Sequence, residues 1–273
     1  RNTTGYPRGD IDLEYQTFVM RMDRAREFNF DRNDVDETNF AVNAAQVMSV
    51  FQKTHVIPEI DAYRYSSIAA VAAAASKTVS STPTAADILS KLNEDITAVQ
   101  DATGVDNLII SMSRLVYGLL TNSTELSRNL DAANFTQGNV QMQVKGIDGI
   151  PIVPVPSARF KTKYVFNDGL TAGQVTGGFV PDETAKDINW IICPITAPLA
   201  LSKTDVVKVF SPDVNQDMDS WKTQYRKYHD LWLFENVING IRVNLAEEAA
   251  AEGDGTGGTG TEGDGTGGTG TEG

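Results

Sequence analysis

The stretch IDLEYQTFVMRMDRAREFNFDR, residues 11–32, decides how this chain must fold. Apolar and polar residues alternate up to Tyr15, the phase slips at Thr17, and a second alternating run contains Phe28 and Phe30. A period of two is typical of a half-buried strand, so the pattern predicts a long β-hairpin with a bulge near Thr17 and a charged turn at residues 23–25. An isolated two-stranded hairpin is at best marginally stable in water. Later parts of this chain, or another copy of it, must therefore cover the hairpin.

The composition describes an acidic protein with enough apolar residues for a sizeable core. The chain has 273 residues, a formal net charge of −13 and 41% hydrophobic residues. This length suits one large domain or two small ones. The acidic balance argues against a nucleic-acid-binding protein, because such proteins usually carry a basic patch that neutralises phosphates.

The cysteine count and the lengths of the apolar runs indicate in which cellular compartment the protein resides. Cys193 is the only cysteine, which excludes an intrachain disulfide framework and fits a reducing cytoplasm. We find neither a secretion signal nor a run long enough to span a membrane, so we expect no membrane partner. The sequence opens at Arg1 rather than Met, so we expect a processed or trimmed product that lacks an upstream segment.

After the first stretch the pattern changes several times along the chain. Residues 38–83 predict a long helix that starts near Thr38, breaks before Pro58 and ends in a loop at 78–84. Residues 84–195 alternate between helix and strand, and residues 196–246 are rich in strands with a hairpin turn at Asn239-Gly240. Residues 247–273 form a Gly-rich acidic tail in which EGDGTGGTGT occurs twice. The repeat has no apolar residue to bury, so we expect the tail to be disordered.

The middle of the chain gives more detailed predictions. Asp148-Gly149 is typical of a tight turn between two strands. Three prolines at 151, 154 and 156 favour an edge strand or an irregular rim after that turn. The predicted elements are helices at 85–100 and 113–120 and strands at 107–111, 140–144, 150–153 and 189–195.

Groups that could carry chemistry are few. His55 and His229 are the only histidines and lie far apart, so a Cys/His metal site is not expected and both are predicted to be structural or surface residues. Residues 167–178 predict a mobile Gly-rich loop. Its stretch 173–178 lacks the Lys-Ser/Thr of a phosphate-binding loop, so a flexible loop is expected rather than a phosphate site. We find no catalytic constellation, and the sequence predicts no cofactor and no metal.

Aromatic residues near the C-terminal end favour an interface. Trp221, Tyr225 and Tyr228 alternate with basic residues in a strongly β segment, while neighbouring aspartates cancel the positive charge. A nucleic-acid surface would need a net basic character. A sheet face or a protein interface rich in Tyr, Trp and Arg fits the pattern better.

Taken in order, four stretches resemble the major capsid (coat) protein of tailed bacteriophages and prophages, which has the HK97-like shell fold. RMDRAREFNFDR (21–32) resembles the tip and return strand of that family's extended loop, and VIPEIDAYR (56–64) resembles the segment after its spine helix. GIDGIPIVPVPS (146–157) resembles a strand pair of its axial domain. The fourth stretch, KTDVVKVFSP (203–212) continued by YRKYHDLW (225–232), resembles its peripheral-domain strands.

The resemblance implies an α+β shell subunit without an active site. Residues 1–37 would form the end of the N-terminal arm and an extended β-hairpin loop, and 38–83 a long spine helix and its continuation. Residues 84–195 would form an α/β axial domain, and 196–246 the strands of a β-rich peripheral domain. The family normally has an arm before this loop, and because the sequence opens at Arg1 we expect that arm to be missing or removed. Some members form Lys–Asn crosslinks, but the loop tip carries arginines, so no crosslink is expected.

The resemblance also implies partners and a location. Copies would assemble as pentamers and hexamers into an icosahedral shell, made in the host bacterial cytoplasm and found in the virion. Scaffolding, portal and maturation-protease proteins are implied partners, and packaged DNA would be touched weakly and non-specifically. The hairpin would lie over a neighbouring subunit, so in an isolated subunit residues 11–32 should project and be poorly packed. The predicted assembly contacts are Arg24, Arg26, Phe28, Phe30, Arg32, Trp221, Tyr225 and Tyr228.

Two other functions stay open from the sequence. An encapsulin-type bacterial nanocompartment has the same fold, but it would need a groove for a cargo peptide, which the sequence does not reveal. A small α/β enzyme built on the middle section would need a deep polar pocket, and the sequence supplies no nucleophile or base at a useful spacing.

Overall fold

A computed structural model describes residue 15 and residues 17–33, 44–123, 131–137 and 140–247. The start of the predicted hairpin, the predicted helix start at Thr38 and the Gly-rich tail lie outside the described residues. The described part combines helices with two larger sheets and a two-stranded one, which confirms the predicted α+β class.

A long helical rod runs from residue 44 to residue 74. It consists of α1 (Ala44–Phe51), a π-helical turn (Gln52–Val56) and α2 (Ile57–Ala74). The predicted break before Pro58 is therefore wrong. Pro58 lacks a backbone N–H and crowds the preceding turn, and the wider π turn directly before it absorbs both effects without ending the helix. The N–H of Ile57 bonds the carbonyl of Gln52, five residues earlier.

A seven-stranded sheet forms the centre of the protein. Its strands are β2 (Thr78–Ser81), β3 (Leu108–Ser113), β4 (Asp131–Gln137), β5 (Val140–Ile147), β6 (Ile150–Val155), β9 (Ile188–Pro194) and β12 (Arg242–Ala246). Their order in the sheet is β2-β12-β9-β3-β6-β5-β4, and all seven residues of β9 are buried. In the chain, helix α3 (Ile88–Thr103) lies between β2 and β3, and helix α4 (Arg114–Thr121) directly follows β3.

Of the local predictions for this sheet, one is confirmed and two are wrong. The tight turn is confirmed, since Asp148 and Gly149 have φ of 51° and 78° and join β5 to β6. The predicted loop at 78–84 is wrong in its first half, because β2 pairs in parallel with β12. The predicted edge position of β6 is also wrong: β6 lies between β3 and β5, although β5 pairs only with its first two residues. Pro154, opposite Met112, lies beyond that short pairing.

The hairpin turn predicted at Asn239-Gly240 does not form. A 3₁₀ turn (Glu235–Gly240) leads the chain into β12, which inserts between β2 and β9. Gly240 packs tightly, and a Cβ there would lie 3.0 Å from Pro194 Cγ and 3.1 Å from Thr103 Cγ2. Close packing, not a hairpin, therefore explains the glycine at this position.

A second sheet of three antiparallel strands stands beside the first. Its order is β1-β11-β10, with β1 (Met22–Asp31) along β11 (Ser220–Leu233) for ten residue pairs. β10 (Pro198–Phe210) forms the other edge, with a register shift between Ser202 and Thr204. The predicted turn at Asp23–Ala25 is wrong, because these residues lie inside β1. A small pair, β7 (Tyr164–Phe166) and β8 (Phe179–Pro181), flanks the Gly-rich loop.

Two apolar clusters cover the two faces of the seven-stranded sheet. Along β9, Trp190 and Ile192 belong to the cluster with α3 and α4, while Ile191 and Cys193 belong to the cluster with α2. This division follows from the alternation of side chains along a strand. Leu231 and Leu233 from the end of β11 enter the α2 cluster, so the three-stranded sheet is joined to the central core.

A buried polar network crosses the edge of the core. Asp95 on α3 accepts hydrogen bonds from Trp190 Nε1 (2.9 Å), Arg242 Nε (3.0 Å) and Asn244 Nδ2 (3.1 Å). Asn244 Oδ1 accepts in turn from Asn189 Nδ2 and from Ser81 Oγ, both at 2.8 Å. The network therefore fixes α3 to three neighbouring strands. A buried carboxylate is tolerated here because every neighbour donates to it.

Replacing Asp95 by Ala should destabilise the protein by about 3 kcal/mol, because buried donors on Trp190 and Asn244 lose their acceptor. Chemical denaturation followed by tryptophan fluorescence measures the change. Glu94→Ala, at the exposed neighbouring position of the same helix, is the matched control and should change the free energy of unfolding by less than about 0.5 kcal/mol. Equal effects of the two variants would contradict the structural role of the network.

Candidate functional site

The three-stranded sheet brings the predicted assembly contacts together within one subunit. Arg24, Arg26, Phe28 and Phe30 lie on β1, and Arg32 directly follows it. The remaining contacts lie on β11, where Trp221 is opposite Phe30, Tyr225 is opposite Arg26, and Tyr228 is opposite Asp23. The sequence thus selected two strands that pair with each other. Whether these residues also touch a neighbouring copy stays a prediction.

The apolar face of this sheet packs against the helical rod. The ring of Phe28 meets Phe51 edge-on at 4.9 Å, and Phe51 meets Tyr225 at 6.4 Å. Phe28 and Phe30 are half-buried, and Tyr225 is buried. The expectation that the segment projects is therefore wrong for residues 22–31, which pair with β11, although Phe28 and Phe30 stay only half-buried. Phe28 already has an aromatic partner in Phe51 of α1.

Arg24 ties β1 to two other parts of the chain. Its Nε lies 2.6 Å from Glu59 Oε1 on α2, and its Nη1 donates to the carbonyl of Asn167 at 2.6 Å. Nη2 lies 3.4 Å from the carbonyl of Gly178. Asn167 and Gly178 are the two ends of the Gly-rich loop, and Asn167 Nδ2 also bonds the Gly177 carbonyl. The loop predicted to be flexible is thus closed at its base by one guanidinium group.

The opposite face of the sheet is charged and open to solvent. Arg226 pairs with Asp23 across the β1–β11 ladder, and Gln224 donates to Glu27 at 2.7 Å. The hydrogen bond from Arg226 lowers the pKa of Asp23 below its ordinary value. Arg32 lies 3.6 Å from Asp219 at the far end. Exposed pairs of this kind add little stability, but they set the register of strands and of docking surfaces.

None of the predicted contact residues lies on β10, although this strand has an exposed apolar edge. Val206, Val207 and Val209 are between 41% and 50% exposed, and among the described residues no strand pairs with the outer edge of β10. An exposed apolar edge strand offers unpaired backbone groups to another chain. The signal was present in the run DVVKVF, whose valines point to both faces of a strand.

The described residues offer little for catalysis or metal binding. They contain no group of three or more His, Cys, Asp or Glu side chains that could hold a metal ion. Cys193 is buried in the α2 cluster, and burial raises the pKa of its thiol to about 12. Helices long and apolar enough to cross a membrane are likewise missing from the described part.

Comparison with known proteins gives structural matches only. No protein-family model and no curated protein matches the chain. The capsid structure of the Cyanophage P-SCSP1u matches with a TM-score of 0.55 and 12% identity, over 91% of this chain and 81% of that one. A chain from Microbacterium phage Oxtober96 matches with a TM-score of 0.55 and 12% identity, over 83% and 72%. A chain from Gordonia phage Cozz matches at 0.51 and 15% identity, over 90% and 80%.

Matches at such identities show the fold. The chain has the HK97-like capsid fold that the order of its sequence stretches predicted. The coverage of both chains indicates that the similarity extends across the helical rod and both sheets, not across one motif.

Replacing Arg24 by Ala should lower the free energy of local opening of β1 by about 2 kcal/mol, because a half-buried carboxylate and two carbonyls lose their donor. Hydrogen exchange of the β1 amides, measured on the intact protein, reports this local opening. Arg26→Ala is the matched control: Arg26 is exposed and its guanidinium lies 6.0 Å from the Phe28 ring, so its loss should cost less than about 0.5 kcal/mol. Similar exchange in both variants would contradict the anchoring role of Arg24.

Proposed function

We propose that this chain is a major capsid protein of a tailed bacteriophage or prophage, which assembles through pentamers and hexamers into an icosahedral shell around DNA. The fold shared with the capsid of Cyanophage P-SCSP1u, over most of both chains, is the observation that carries the proposal. In this proposal the protein is structural rather than catalytic and resides in the virion after synthesis in the host bacterial cytoplasm.

The form of the three-stranded sheet supports self-assembly. Among the described strands none pairs with its two outer edges, one of its faces is charged and exposed, and three valines of β10 are between 41% and 50% exposed. Contacts of different surfaces on neighbouring copies close into rings when the rotation between them fits. The many weak charge pairs of the sheet can fix the register of such contacts while the valines contribute burial.

The contact residues of the proposal differ in what they do for the single subunit. Phe28 and Tyr225 already pack against α1, and Arg24 is bound to α2, so these residues support the subunit itself. Arg26 and Arg32 are exposed, and their internal contacts are weak. The Arg26 guanidinium lies 6.0 Å from the Phe28 ring, and Arg32 forms solvent-exposed pairs with Asp213 and Asp219 that can be exchanged for contacts with a neighbour. We therefore propose Arg26, Arg32 and the β10 valines as the first candidates for contact between copies.

The acidic surface suits weak rather than specific contact with packaged DNA. A net charge of −13 repels phosphates, so DNA would be enclosed rather than bound. Scaffolding, portal and maturation-protease proteins remain proposed partners on the strength of the fold alone.

Negative-stain electron microscopy and sedimentation of the full-length chain test the proposal. Closed shells or rings of capsomer size are the expected result, whereas a stable monomer at all concentrations would contradict it. The contents of purified shells then separate two kinds of shell. Nuclease-protected DNA supports a phage capsid, and a co-purified cargo protein without DNA would replace it by an encapsulin-type compartment.

The double substitution Val207→Lys with Val209→Lys should reduce assembly at least tenfold, since it places two charges on the exposed edge strand. Sedimentation of the assembled fraction measures the effect. Both valines are already exposed, so the thermal unfolding of the subunit should stay within a few degrees of the parent. Val105→Lys is a control that tests one added charge elsewhere, because Val105 lies in the loop after α3 and is 38% exposed. Unchanged assembly of the double variant would remove β10 from the proposed contacts.

A further inference from the structure

His229 is a buried histidine at the seam between β1 and β11. It lies opposite Met22, the first residue of β1, and only 2% of its surface is exposed. Its Nδ1 has no hydrogen-bond partner, and its ring meets Tyr63 of α2 edge-on at 5.7 Å. The packing therefore buries Nδ1 with no hydrogen-bond partner, so a proton added there would have no acceptor.

The charged groups around His229 do not favour its protonated form. Arg64 on α2 and Lys227 on β11 repel an imidazolium, whereas Asp230 on β11 and Asp205 on β10 attract it. Burial is the largest effect, followed by Arg64, and the pKa of His229 falls from 6.5 to about 4. Arg24 and Glu59 line the same groove of about 300 Å³ but are paired with each other.

The two carboxylates near His229 are already occupied. Asp230 accepts from the Tyr63 hydroxyl at 2.6 Å and from the backbone N–H groups of Leu231 (2.7 Å) and Arg21 (2.9 Å). Asp205 accepts from Lys227 Nζ at 2.6 Å and from the Tyr225 hydroxyl at 3.0 Å. A protonated His229 would therefore compete with these donors for a carboxylate oxygen.

The same region anchors the chain segment that leads into β1. The Tyr228 hydroxyl donates to the carbonyl of Met20 at 3.0 Å, and the N–H of Arg21 bonds Asp230. The ring of Phe18 stacks on Trp232 at 5.2 Å. Three successive contacts of this segment thus depend on β11 residues on either side of His229.

We propose that His229 is an acid-sensitive latch, whose protonation opens the seam between β1 and β11 while the seven-stranded sheet stays folded. The latch is a property of the single subunit and goes beyond the proposed shell function. Opening would release β1 and the segment before it, so that the edge of β11 that pairs with β1 and the side chain of Phe28 become free for other contacts.

The direction of the pH effect follows from the two protonation equilibria. An open seam returns the ring to water, where its pKa is 6.5, so the open state binds more protons than the closed state between about pH 6.5 and pH 4. The stabilisation of the closed seam is therefore complete above pH 6.5, declines as the pH falls, and is lost by about pH 4. The opening equilibrium constant should rise about 50-fold between pH 7 and pH 4.5.

Hydrogen exchange of the full-length protein at pH 7 and pH 4.5, corrected for the chemical exchange rate, tests the latch. Amides of residues 17–31 should open about 50-fold more often at pH 4.5, while amides of β9 keep their protection. His229→Gln should remove the pH response of residues 17–31. His55→Gln is the matched control, because it changes the only other histidine, which is exposed, and should leave the response intact.

Two results would overturn the proposal: equal opening of residues 17–31 at both pH values, or an unchanged pH response in His229→Gln. Should that variant fail to fold, the ring-proton resonances of the two histidines in the parent protein decide the matter. One resonance should titrate near pH 4, and two resonances titrating near pH 6.5 would refute the latch. These measurements report on the pairing of β1 with β11 itself, so their outcome does not depend on whether the protein forms shells.

Discussion

The pairing of β1 with β11 is the interaction on which the rest of the three-stranded sheet depends. The two strands are about 200 residues apart in the chain, and β11 also joins the central core, since Leu231 and Leu233 enter the α2 cluster. Closing such a long loop costs entropy before the contacts compensate for it. The first described strand of the chain therefore gains its place only when one of the last strands is in position.

Local pattern predicted strands and helices well, but it did not identify their partners. The alternation around Phe28 correctly indicates a strand, and Asp148-Gly149 correctly indicates a turn, because both depend on neighbours in sequence. The hairpin turn at Asp23–Ala25 was wrong because alternation is equally compatible with pairing to a distant strand. The role of Asp95 was not predicted for the same reason: its partners come from β9 and β12, and nothing in its own helix announces them.

The polar groups of this subunit fall into two kinds with different consequences. Asp95 and Asp230 are buried and fully bonded, so they fix the positions of α3 and of the segment before β1. Asp23, Glu27 and Asp217 are exposed and form pairs that solvent screens. A buried network specifies a single arrangement, whereas exposed pairs can be exchanged for pairs with another molecule at little cost. The charged face of the three-stranded sheet is thus suited to changing partners.

This difference separates residues that fold the subunit from residues that can join copies of it. A contact between copies requires side chains that are exposed in the single subunit, and its loss should leave the subunit stable. Phe28 fails this condition, because its ring packs on Phe51, so a charged residue there would disturb the subunit whether or not it meets a neighbour. Val207 and Val209 meet it, because about half of each side chain already faces solvent. Phe28 and Tyr225 therefore have a role inside the subunit whatever else they contact, whereas the exposed valines of β10 are the clearer test of the proposed contact between copies.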